Sequence, residues 1–225
     1  MEAFPVFLSV LILAFTNFIG VLVPIKEYIP RKWWLSFSGG VAVAYVFVHL
    51  IPELHEITDV AGDSLTFSLT LLGTIIYFGT AKYVKESKDT PDSRRAFVIQ
   101  MTTLVPYFFI LGYFLERLNT LLALGSYTLA IGIHLIGFGY DLKEDHREKY
   151  THWTAGTLAL VLIAGTIASY IYEFDELTLN LLLAFVTGGI FLNSIKEEIP
   201  PVNKSRFWAF AAGATLIGIL LLLEF

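Results

Sequence analysis

The chain has 225 residues, of which 56% are hydrophobic and only 16% charged, with a formal net charge of −5 and a mean hydropathy of +0.68. A soluble domain of this size carries more charge to cover its surface. The absence of cysteine excludes disulfides, thiolate metal sites and cysteine catalysis.

The apolar residues fall in eight blocks: Phe4–Val23, Trp33–Leu54, Leu65–Val84, Ala96–Leu115, Thr120–Tyr140, Trp153–Tyr172, Leu177–Lys196 and Phe207–Phe225. About 20 residues of helix cross the ~30 Å hydrocarbon layer, and lipid offers no hydrogen-bond partner to an open backbone. The fold expected is therefore all-α, a polytopic membrane protein of eight transmembrane helices forming one domain over 1–225. The first block has no basic residue before it and no small-residue cleavage site after it, so it reads as a retained span. Breaks are expected in the fourth block at Pro106 and in the fifth at Gly137 and Gly139.

Every lysine and arginine except Arg117 falls in an odd-numbered linker: Lys26, Arg31 and Lys32; Lys82, Lys85, Lys88, Arg94 and Arg95; Lys143, Arg147 and Lys149; Lys196, Lys204 and Arg206. Positive residues stay on the cytoplasmic side, so the expected site is the inner or plasma membrane with both termini outside. The outer face is then acidic (Glu2, Glu53, Glu56, Asp59, Asp63, Glu116, Glu173, Asp175, Glu176 and Glu224). Such a surface concentrates cations, although acids excluded from a basic inner face would gather there in any case.

The second block, LSFSGGVAVAYVFVHLIPELHE from Leu35, and the seventh, LAFVTGGIFLNSIKEEIPP from Leu183, share a pattern. Each has an aromatic, a glycine pair, nine or ten residues, then polar groups and Ile-Pro. By the alternation of spans they run in opposite directions, as inverted repeats do. The organisation expected is a first three-helix repeat over 4–84, a central helix pair over 96–140 and a second three-helix repeat over 153–225.

His49-Leu50-Ile51-Pro52-Glu53 resembles the end of the second helix in the ZIP family of divalent-metal transporters. Gly188-Gly189-Ile190-Phe191-Leu192 through Glu197-Glu198-Ile199-Pro200 is similar to that family's seventh helix. The resemblance implies eight spans with both ends outside and a transported divalent cation. It fails at the family's metal motifs. Tyr107 stands where the fourth-helix histidine would be, the aspartate is missing, and Phe138 replaces the glutamate four residues after His134. A mid-membrane cation must have its hydration replaced and its charge offset, which a phenol and one imidazole do not achieve. The family's paired metal centre is thus expected to be lost or rebuilt.

The candidates for rebuilding it are His134, His49, Glu53, Asn193 and Glu197, with Tyr107, Asp141 and Gln100 as further pathway residues. His49 with Glu53, and Asn193 with Glu197, are four apart on one helical face. Ionisable groups inside a membrane are functional candidates by default; for His134 the competing role is a neutral imidazole bonded to a neighbouring helix. Pro52 frees the carbonyl of Val48. The linker from Tyr140 to Trp153, with Asp141, His146 and His152, reads as a solvated loop whose acids are matched by lysine and arginine; a metal exit or sensing patch is the alternative.

The function expected is ZIP-like movement of a zinc-, iron- or manganese-type cation into the cytoplasm, without a bound cofactor. The alternative is a ZIP-fold sensor, chaperone or partner subunit. An enzyme is not expected: HExxH, Gly-x-Ser-x-Gly and a mid-depth acid pair are all absent. The partners expected are the lipid bilayer and the cation, with a homodimer allowed and no nucleic acid.

Overall fold

The computed structural model describes residues 3–22, 30–88, 90–146, 148–193 and 206–223. They are helical with no strand among them. The helices are α1 (Ala3–Leu22), α2 (Arg31–Tyr45), α3 (Ile51–Ala61), α4 (Asp63–Ser87), α5 (Ser93–Phe114), α6 (Leu121–His146), α7 (His152–Ile171), α8 (Glu176–Asn193) and α9 (Phe207–Leu222). A π-helical turn, Val46–Leu50, joins α2 to α3 without interruption, and a 3₁₀ turn, Leu115–Arg117, ends α5. Each of the eight apolar blocks thus has its helical segment.

Five stretches are long and apolar enough to cross a bilayer: Lys32–Ala61, Asp63–Ser87, Ser93–Arg117, Leu121–His146 and His152–Ile171. Ala3–Ile19, Glu176–Phe191 and Phe207–Leu222 are apolar over shorter lengths. Large side chains such as Phe67, Leu71 and Ile75 on α4 stand exposed. Outward apolar faces of this kind suit lipid and would be an aggregation hazard in water.

Two expectations about breaks are corrected. α5 continues through Pro106, and α6 continues through Gly137 and Gly139. A transmembrane helix can hold a proline because neighbouring groups take up the freed carbonyl, and single glycines weaken a helix by only ~1 kcal/mol. The loop expected from Tyr140 to Trp153 is also mostly helix, since α6 runs on to His146 and α7 begins at His152. Thr151 and Thr154 close a capping box at the start of α7.

The chain forms two compact units. One comprises residues 1–24 and 77–173, hence α1, the end of α4, α5, α6 and α7. The other comprises 25–76 and 174–225, hence α2, α3, most of α4, α8 and α9. These units are a different division of the chain from the sequential groups 4–84, 96–140 and 153–225.

Each unit is held by seams where two helices meet backbone to backbone. In the second unit, a Cβ on Gly40 would overlap the carbonyl of Phe210, and one on Gly213 would overlap that of Phe37. Gly73 and Gly188 stand in the same relation to the carbonyls of Phe185 and Thr70. In the first unit, Gly112 and Gly165 do so with Leu162 and Phe109. All six glycines follow by three residues the residue whose carbonyl the partner's glycine meets. Burial from water supplies no attraction between helices in lipid, so the packing that glycine allows by close backbone approach counts for more, including weak Cα–H···O contacts. Hydroxyls finish these seams: Thr166 donates to the Gly112 carbonyl at 2.8 Å and Thr74 to that of Gly188 at 3.0 Å.

Candidate functional site

In the second unit, the apolar run of α2 ends in the π turn that carries His49. Pro52 has no N–H and its ring crowds the carbonyl four residues back. The chain responds by widening the preceding turn, with the Ile51 N–H bonding the Val46 carbonyl. π turns of this kind occur often at functional sites.

His49 Nε2 lies 3.6 Å from Glu53 Oε2, with the side chains 18% and 20% exposed. Nε2 has no hydrogen-bond partner among the described residues. The ring of Tyr45 packs against the imidazole with centroids 5.0 Å apart. Tyr45, His49 and Glu53 therefore form one line along the helix at successive four-residue steps. The tyrosine was not among the sequence candidates, although the i, i+4 spacing from His49 was available to find it. α3 runs two turns past Glu53, packing Leu54 and Ile57 on Ala184 of α8, before Gly62 ends it with a φ of 80°.

In the first unit, His134 is buried on α6. Its ring stacks on Phe138, with centroids 5.9 Å apart. Phe138 in turn meets Tyr107 at 6.3 Å and Phe108 at 6.4 Å, and Tyr107 packs edge-on against Tyr77. The positions where the ZIP resemblance implies metal ligands are thus part of an aromatic cluster. Its faces and edges offer quadrupole contacts and no carboxylate.

Gln100 pairs with a residue that the sequence places in the loop after the fifth block. Its Oε1 meets Nε2 of His146, which is buried and set edge-on to Phe97 at 5.0 Å. The sequence signal missed was the continuation of helical spacing from Tyr140 to His146. Asp141 lies on the same final turns of α6, half-buried. Asn193 is the last residue of α8, where only the backbone is described. Glu197 lies outside the described residues, as do Glu2, Lys26, Arg147, Lys196, Glu198, Lys204 and Glu224.

The structure therefore brings His49 to Glu53 and Gln100 to His146. Among the described residues no group of three or more histidine, aspartate or glutamate side chains is placed to hold a metal ion. No protein-family model matches the chain, and no curated protein matches its sequence.

Proposed function

We propose that the protein is a ZIP-like carrier that moves a divalent metal cation of the zinc, iron or manganese type into the cytoplasm, with His49 and Glu53 as its recognition pair. The observation that supports this most is the 3.6 Å approach of an imidazole and a carboxylate on a widened turn of a long apolar helix. Ionisable residues within a membrane helix are rare and mark ion pathways by default. A chain that keeps two of them together has a use for them. Imidazole nitrogen and carboxylate oxygen are both ligands for this class of cation, and water or further donors would complete the shell.

Position along the helix agrees with a mouth. His49 lies 17 residues beyond Lys32, or ~25 Å of helix, close to the ~30 Å hydrocarbon thickness. Glu56, Asp59 and Asp63 follow it. The Phe37-x-x-Gly40 and Phe185-x-x-Gly188 steps serve equivalent seams in the second unit, which supports the inverted repeat inferred from those same stretches. Eight spans with both termini outside remain the arrangement that fits the lysine and arginine pattern.

A second reading is favoured by the aromatic cluster around His134. Phe138 and Tyr107 occupy positions that would need charged ligands, so a ZIP-fold sensor, chaperone or partner subunit without transport is the alternative. Uptake of zinc, iron, manganese and cadmium into liposomes holding the purified protein separates the two. The carrier reading expects flux that falls in His49→Ala and Glu53→Gln. Absence of flux for all four metals would favour the second reading.

A further inference from the structure

We infer that Arg94 and Arg95, at the end of the first unit where α4, α5 and α6 converge, bind the phosphate of an anionic phospholipid. The convergence is fixed by two cross-links: Lys88 Nζ to Asp145 Oδ1 at 3.1 Å and Lys149 Nζ to Ser93 Oγ at 2.9 Å. They place Lys82, Lys85, Lys88, Arg94, Arg95, Lys143 and Lys149 at one end of the unit. Most of this charge is already engaged. Lys82 reaches Glu86 at 3.7 Å, Lys88 and Lys149 make the cross-links, and Lys143 donates to the Tyr150 carbonyl at 3.0 Å.

Arg94 and Arg95 differ. Both are exposed, and neither has an ion pair or side-chain hydrogen bond among the described residues. They also stand in the first turn of α5, which contains no acid, and Asp92 before it makes no side-chain cap. Cations are disfavoured at that end of a helix dipole, and a bound anion would offset that cost where no acid among the described residues pairs with either arginine. Guanidinium forks match phosphate oxygens. The two arginines begin a helix, Ser93–Arg117, that is long and apolar enough to cross a bilayer, and its start would lie at headgroup level. Basic clusters flanking a span attract anionic lipid, each residue near the surface adding about fivefold in affinity.

The test uses the full-length protein in nanodiscs, comparing phosphatidylglycerol with phosphatidylcholine by native mass spectrometry of retained lipid. Phosphatidylglycerol is expected to be enriched around the wild type. Its apparent affinity should fall about fivefold in Arg94→Gln and about thirtyfold in Arg94→Gln/Arg95→Gln, with phosphatidylcholine retention unchanged. The charge-preserving Arg94→Lys/Arg95→Lys variant should recover most of the binding, which separates charge loss from misfolding. Equal retention of phosphatidylglycerol by wild type and the double glutamine variant would overturn the proposal. So would displacement of the lipid by inorganic phosphate at matched concentration, which would make the arginines a site for free phosphate.

Discussion

Replacing Gly40 by alanine tests the seams that hold the second unit. The new Cβ would overlap the Phe210 carbonyl and stand 2.9 Å from the Ala214 nitrogen. Both obstacles are backbone, so no side chain can swing aside. The α2 and α9 axes must part by on the order of 1 Å, which forfeits a quarter to a half of the local van der Waals attraction. The Gly213–Phe37 contact, its reciprocal, loosens with it. Overpacking of this kind costs about 1–3 kcal/mol. Gly79 is the control, because a Cβ there meets nothing within 4 Å; Gly79→Ala should be neutral or stabilise by up to about 1 kcal/mol through helix propensity. Thermal unfolding of the purified variants in one detergent gives the comparison. A lowered midpoint for Gly40→Ala beside an unchanged or raised one for Gly79→Ala is the expected pattern. Equal midpoints would refute the backbone seam.

Asn17 is fully buried and donates to the Ala155 carbonyl at 2.7 Å; Asn17→Ala should cost about 1–3 kcal/mol in the same unfolding assay. Pro52→Ala restores an N–H at position 52, so the π turn should tighten toward α geometry and shift His49 relative to Glu53. Metal uptake should then fall while the unfolding midpoint holds or rises. The Asp175 carboxylate accepts from the side chain and the backbone N–H of Thr178 at 2.6 and 2.9 Å, which holds it below the usual aspartate range. Its capping of α8 is complete at neutral pH and lost as pH falls through that lowered value. Exchange of the Thr178 amide, corrected for its intrinsic pH dependence, should lose protection only below the ordinary aspartate range.

The helices were legible in the sequence because lipid imposes length and apolarity together. Blocks such as Leu65–Val84 and Trp153–Tyr172 lie within or almost within α4 and α7. Local breaks were not legible in the same way. Pro106, Gly137 and Gly139 looked like interruptions, but α5 and α6 carry them without a break. For Pro52 the sequence predicts a freed carbonyl at Val48, while the π turn that precedes it depends on backbone geometry that no residue pattern states. The sequence places His146 in a loop because the charges around it mask the six further helical residues after Tyr140. The pairing of His49 with Glu53 could be read from the i, i+4 step alone. The division into two units could not, since it depends on which helices distant in sequence meet, as α5 and α7 do at Gly112 and Gly165. Those glycines carry no mark of which partner they will meet.

Zinc entry into proteoliposomes, read by an internal fluorescent chelator, tests the central claim most directly when wild type and Glu53→Gln are run side by side at matched incorporation. The account predicts saturable entry for the wild type and at least a tenfold loss in the variant, corresponding to ~1.4 kcal/mol of cation binding. Saturable entry undiminished in both Glu53→Gln and His49→Ala would contradict it and move the cation route away from the π turn.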